Sequence, residues 1–398
     1  MQIVKSLVLA GAVLLSSVAS VATAQQELRV GFVSTMTGSG AVIGQQIENG
    51  FKLGLEHRGW RKDGDLLAGV PLKVIYVDDQ VKPEVGLKEV EKLLKQDRVH
   101  VVAGIIWANV FTAVSGPVLD SGRILMGAVS GLGQYAGEQC HPRFISTSFQ
   151  NDQNAEATGE LATRRGVKTI VAMAPNYQAG REYLDAFERT FKGGKVIERV
   201  MYKLGQSDFQ AEFARIRSLK PEAVLIFAPG AMGLSFMKQW RATGLNQEFK
   251  LLSLYTVDNA NLPIIGDAAL DVRDTNHWSP DLSNPVNKRF VQEFTSKFGG
   301  PPSFFAVGGY DAAVALEAGL RSTKGRIDDL DALAVAIKRS TLDSPRGKLS
   351  YNTNGFLLQP YYEREVVKGA DGKPAFRSLG VIMNQPDSYA SKCKLTLR

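Results

Sequence analysis

The sequence predicts an α/β protein of two doubly wound lobes, each a parallel sheet covered by helices on both faces. Three observations carry this. Apolar runs rich in β-branched residues alternate with segments whose apolar residues recur every three or four positions, as in strand–helix–strand units. The alternation starts afresh near Asn154, so two such runs of about 120 residues each follow one another. The chain of 398 residues also exceeds the ~250–300 at which a single core stops growing.

Each element follows from local pattern. Leu28–Val33 (LRVGFV) reads as a buried strand, and a helix follows with Ile47, Phe51 and Leu55 on one face. Leu72–Val77 is the next strand, and Pro83–Gln96 a helix with Leu87, Val90 and Leu94 in one stripe. Val99–Ile106 is predicted as a strand, Asn109–Leu119 as a helix and Ile124–Val129 as a strand. The second run comprises helix Asn154–Arg165, strand Thr169–Ala174 and helix Glu182–Phe191, with Leu184, Phe187 and Phe191 inward. Strand Lys195–Tyr202, helix Phe209–Ser218, strand Ala223–Ala228, helix Met232–Ala242 and strand Lys250–Tyr255 complete it. Helices recur over Pro285–Phe298, Phe305–Arg321 and Leu330–Arg339, and short strand-like pieces close the chain.

With 44% hydrophobic and 22% charged residues, a disordered, collagenous or coiled-coil chain is excluded. The net charge of +7 is scattered without a basic block, so it favours solubility and mild attraction for anions over nucleic acid. Four His in unrelated segments (His57, His100, His141, His277) and two Cys leave little for a metal site. Met1 to Ala24 reads as a secretory signal peptide: Lys5, the apolar Leu7 to Val18, then Ala22-Thr23-Ala24 as the cleavage site. No later segment is long and apolar enough to span a bilayer, so an exported protein of a bacterial periplasm is expected. Export favours a bond between Cys140 and Cys393, with two separate buried thiols as the alternative.

Ligands of doubly wound sheets sit beyond the carboxyl ends of the strands, where loops enter helix N-termini. Six loops take that position: Ser34–Gly44, Ile105–Asn109, Ser130–Gly133, Pro175–Arg181, Pro229–Gly233 and Thr256–Asn259. Their glycines let backbone approach a guest, and Trp107, Asn109, Ser130, Tyr177, Thr256 and Asp258 supply polar or aromatic groups. Free helix N–H groups suit a carboxylate, and Asp258 could meet an ammonium. Helix capping by Asn109 and core packing of Trp107 are the plainer alternatives. Catalytic signatures are missing: there is no Gly-x-Ser-x-Gly, His-Glu-x-x-His, Cys-x-x-Cys or phosphate loop. Gly38-Ser39-Gly40-Ala41-Val42-Ile43-Gly44 approaches a dinucleotide fingerprint, but its last spacing is one residue too long. Neither an enzyme nor a cofactor is expected.

In this order, LRVGFVSTMTGSGAVIGQQIENG, GIIWANV, YAGEQCHPRFISTSFQNDQ, APNYQAGRE, APGAMGLSFMKQW, LYTVDNANLPIIGDAAL, HWSPDLSNPVNKRFVQEF and SFFAVGGYDAAVALEAG resemble the periplasmic solute-binding proteins of ABC importers. The similar subgroup is that of the leucine/isoleucine/valine-binding proteins, with the type I periplasmic binding fold. The resemblance implies a three-crossing hinge near Phe149, His277 and Ser350. Residues 25–148 and 278–350 would then form an N-terminal lobe, and residues 149–277 and 351–398 a C-terminal lobe. It also implies a Cys140–Cys393 pair, a ligand trapped by lobe closure, and a monomer that serves a membrane permease and its ATPase.

Carried onto this sequence, the family's first-lobe pocket falls on Trp107, Ala108 and Asn109 and on Val129, Ser130 and Gly131. Its second-lobe pocket falls on Tyr177, on Gly230, Ala231 and Met232, and on Thr256 and Asp258. Amino-acid binders of the family carry a serine where this chain has Ala108, which removes one grip on an α-amino-acid carboxylate. With Trp107 and Tyr177 nearby, the pattern is closer to relatives that take aromatic carboxylates. The expected function is capture of a small carboxylate (a branched-chain or other amino acid, or an aromatic acid) for an importer. The alternative is a ligand-sensing domain that presents the same kind of guest to a receptor.

Overall fold

The computed structural model describes residues 26–396; the signal peptide expected over Met1 to Ala24 lies outside them. Six strands make the first sheet, in the order Leu66–Leu67, Val70–Asp78, Leu28–Ser34, Val101–Ala103, Ile124–Gly127 and Phe144–Ser146. All neighbours run parallel except the short Leu66–Leu67 hairpin strand. Leu28, Val30 and Phe32 are fully buried, as sheet strands covered on both faces by helices must be.

The second sheet has seven strands, in the order Pro374–Met383, Tyr361–Lys368, Arg273–Asn276, Lys250–Leu254, Ala223–Phe227, Thr169–Pro175 and Lys195–Tyr202. The last five are parallel, and Tyr361–Lys368 and Pro374–Met383 add an antiparallel edge. A small antiparallel sheet of Thr341–Ser344, Gly347–Tyr351 and Leu357–Leu358 completes the strands. Two parallel sheets in two lobes is the architecture that the alternating pattern predicts.

The differences are local. The strand expected over Val99–Ile106 is only Val101–Ala103, because the chain then leaves the sheet for helix Ala108–Asp120. Helix Asn151–Arg164 starts three residues earlier than Asn154, since the Gln150 side chain accepts from the Asp152 N–H and caps it. Phe144–Ser146 and Arg273–Asn276 were not foreseen; the first is three residues long and the second polar, so neither has a strand signature.

The third passage between lobes also lies later than Ser350. Leu357–Leu358 pairs with Gly347–Tyr351, the Ser146 N–H donates to the Gly355 carbonyl, and the Phe356 ring packs 5.4 Å from Phe144. The chain thus stays with the first lobe to Leu358 and joins the second sheet at Tyr361. Its tail then returns: the Tyr389 ring covers Gly133, and Cys393 is disulfide-bonded to Cys140, Cα atoms 5.7 Å apart. Residues 351–398 are therefore shared between the lobes instead of lying wholly in the second.

Buried guanidinium groups fasten these passages. Arg346 pairs with Asp311 and donates to the Thr147 carbonyl at 2.8 Å and the Ser148 carbonyl at 3.0 Å. Gln359, on the third passage, donates to the same Ser148 carbonyl at 2.8 Å. Arg364 pairs with Asp274 and donates to the Trp278 carbonyl at 2.9 Å, which secures the second passage.

Candidate functional site

The carboxyl ends of the parallel strands of both lobes face one another across a seam, and helices start there without side-chain caps. Ala108–Asp120 begins behind Trp107, Gln178–Thr190 behind Tyr177 and Ala231–Ala242 behind Gly230, and none of these three residues caps with its side chain. By contrast, Asn284 and Asp329 cap helices Pro285–Phe298 and Leu330–Arg339. An uncapped start leaves N–H donors and a partial positive charge available to an anion.

Between the lobes lies a small space lined from both sides. Ile43, Ile106, Trp107, Ala108, Val129, Ser130 and Phe305 form the first-lobe wall, with Phe149 and Asn151 from the first passage. Tyr177, Ala179, Tyr183, Phe227, Pro229 and Tyr255 form the second-lobe wall. The Trp107 and Tyr177 rings meet across the seam, centroids 6.4 Å apart. Tyr177 continues onto Phe227 at 6.3 Å, and Tyr183 sits edge-on to Phe227 at 4.5 Å. The Trp107 Nε1–H donates to Thr35 Oγ1 at 2.9 Å, which fixes the indole plane.

Polar groups in this aromatic box are few. The Ser130 hydroxyl and the Tyr255 hydroxyl are buried and have no hydrogen-bond partner in the protein. Asn151 accepts from the Gly131 N–H at 3.1 Å and donates to Glu182 at 2.8 Å. Gln178 also donates to Glu182, at 2.9 Å, and burial pushes that carboxyl up to about 7. The seam is tied directly: Thr112 donates to Gln178 at 3.2 Å, Gln178 to Gln134 at 2.8 Å, and Asn259 to the Pro302 carbonyl at 2.8 Å. These bonds join first-lobe to second-lobe residues, so the structure is the closed form.

Of the residues singled out from sequence, Trp107, Ala108, Val129, Ser130 and Tyr177 line the space. The others stand behind it. A Cβ on Gly131 would come 1.8 Å from the Phe149 carbonyl oxygen, so glycine there lets the first passage pass close. Gly230 has φ +67° and faces Ile43 and Ser39 of the opposite lobe, where a Cβ would approach to 3.2 Å. Asn109 is half-buried with an unpartnered Oδ1, off the wall of the space. Ala231 starts its helix, and the buried Met232 sulfur receives the Gly205 N–H at 3.2 Å.

Thr256 and Asp258 also stand behind the lining. Thr256 is a strut that accepts from the Ala228 N–H and donates to the Ile226 carbonyl, both at 2.9 Å. Asp258 closes its own turn, accepting from the Ala260 and Asn261 N–H groups at 2.7 and 2.9 Å. Burial raises its carboxyl to about 6 despite those bonds. It is absent from the lining of the space, so it is not placed to meet an ammonium there. Sequence reasoning missed Phe149, Tyr183, Phe227, Tyr255 and Phe305; their only signal was an aromatic side chain at a strand end, on a passage or in a helix, which core packing explains as well.

A family model described as periplasmic binding protein matches residues 27–373. The Leu/Ile/Val-binding protein homolog 6 of Brucella melitensis is 28% identical over 367 residues, covering 89% of this chain and 92% of the relative. Among solved structures, an R. palustris ABC transporter solute-binding protein in complex with benzoate superposes with a TM-score of 0.86 at 28% identity, covering 93% of this chain and all of that one (100%). One from Rhodopseudomonas palustris BisB5 in complex with 3,4-dihydroxy benzoic acid gives 0.85 at 29%, covering 91% and 99%. With two parallel-sheet lobes closing on a small space, and a family match running from the first strand almost to the end, the chain belongs to the periplasmic binding proteins, as a relative of the leucine/isoleucine/valine-binding group.

Proposed function

We propose that this protein captures a small aromatic carboxylate between its lobes and delivers it to an ABC importer. The carrying observation is the box itself: rings from both lobes surround a space whose one unpartnered polar group on the first-lobe wall is the Ser130 hydroxyl, beside the uncapped start of helix Ala108–Asp120. A carboxylate there would accept from Ser130 and from the free N–H groups at Ala108 and Asn109, replacing the hydroxyl that position 108 lacks. The ring would lie against Trp107 and Tyr177. No residue lining the space is acidic among those described, which disfavours an α-ammonium group. The benzoate and 3,4-dihydroxybenzoic acid held by the two R. palustris relatives support the same class.

Delivery would follow the family plan. The leader exports the chain to the periplasm, the monomer closes on its guest, and a membrane permease powered by an ATPase accepts the closed shape. Among the described residues no helix is long and apolar enough to cross a membrane. Closure is favoured because the guest touches both walls only when they meet. The test is a thermal-shift screen of ligand-stripped protein against benzoates and aliphatic amino acids, since a bound guest raises stability by mass action. Stabilisation by benzoates and not by leucine supports the assignment, and the reverse order overturns it.

A further inference from the structure

We infer that Tyr255 reads a hydroxyl group on the ligand's ring, so that the protein selects hydroxylated aromatic acids over unsubstituted benzoate. This deepens the proposed function and rests on it.

Tyr255 follows strand Lys250–Leu254 on the second-lobe wall and is 2% exposed. Its hydroxyl is buried without a protein partner although the residue lines the space. A buried hydroxyl normally finds a partner, and leaving it unmet is costly. Phenylalanine would fill the same volume without that penalty. The side chain has no freedom to seek a partner elsewhere: Phe304 stacks on it at 4.5 Å, Phe149 lies at 5.2 Å, and Tyr183 meets it edge-on at 5.8 Å. Its backbone has φ +54°, a conformation that bulky residues rarely adopt and that persists where surroundings impose it.

The two lining residues with unpartnered hydroxyls sit on opposite walls, Ser130 on the first lobe and Tyr255 on the second. The helix start at Ala108 marks the Ser130 side for the carboxylate. A phenol can both donate and accept, which suits a neutral ring hydroxyl at the guest's other end. Because that bond reaches the second lobe, it forms only on closure and favours the closed state.

Calorimetry of ligand-stripped protein and of Tyr255→Phe, against benzoate, 3-hydroxybenzoate, 4-hydroxybenzoate and 3,4-dihydroxybenzoate, tests this. At least one hydroxylated acid should bind the unaltered protein roughly tenfold more tightly than benzoate, and Tyr255→Phe should abolish that preference. An unchanged preference in the variant, or an equal loss for benzoate, overturns the inference. Should the variant fold poorly by circular dichroism, methoxybenzoates decide: they lack the hydroxyl proton and should bind the unaltered protein more weakly than their hydroxyl counterparts, and equal binding overturns the inference. If no benzoate binds at all, the ligand class itself falls, and the Tyr255 role with it.

Discussion

In the proposed complex, Ser130 would supply the hydroxyl that position 108 lacks. Position 108 is Ala, and the first-lobe lining residue with an unpartnered hydroxyl, Ser130, comes from the next loop. Replacing Ser130 by Ala should weaken binding of an aromatic carboxylate by ~1–3 kcal/mol without lowering the melting temperature of the ligand-free protein, as titration calorimetry and thermal melts would show. That Trp107 and Tyr177 line the space was legible in the sequence, because loops at strand ends flank the crevice of doubly wound sheets. Tyr183, Phe227 and Tyr255 were not, since an aromatic ring at helical or strand spacing is equally at home in a core. Asp258 was misjudged for a different reason: nothing in the sequence distinguishes a carboxylate free to face a guest from one that closes a turn onto the N–H groups two and three residues on.

Among elements, the helix Gln178–Thr190 couples the seam to pH. Glu182 on its second turn accepts from Asn151 and Gln178, and Gln178 reaches the first lobe. Burial raises the Glu182 carboxyl from 4.5 to about 7, so the folded form holds its proton more tightly than the unfolded chain. That contribution is fully present below 4.5 and is lost as pH rises through about 7. Thermal melts across this window should show Glu182→Gln losing less stability with rising pH than the unaltered protein; parallel pH profiles would contradict the assignment. The order and type of most helices and strands was readable from periodicity. Their starts were less so, because a cap such as Gln150 or an uncapped start such as Gln178 is set by local hydrogen bonds that periodicity does not encode.

At the scale of the molecule, two lobes must move as units while three passages hold them in register. Arg346 gathers the first and third passages and neutralises Asp311 at complete burial. Its replacement by Met should cost about 3–5 kcal/mol in denaturant unfolding, because an unpaired carboxylate would remain in the interior; a loss below about 1 kcal/mol, as for an exposed pair, would contradict that role. The two-lobe division was legible from the repeated alternation, whereas the position of the third passage was not: short strands such as Leu357–Leu358 declare their partner only through pairing. Everything functional depends on both lobes closing on one small guest. A crystal structure of the protein grown with 4-hydroxybenzoate tests that most directly. The ring should lie against Trp107 and Tyr177 with its carboxylate on Ser130; a ligand bound elsewhere, or held by one lobe alone, would contradict it.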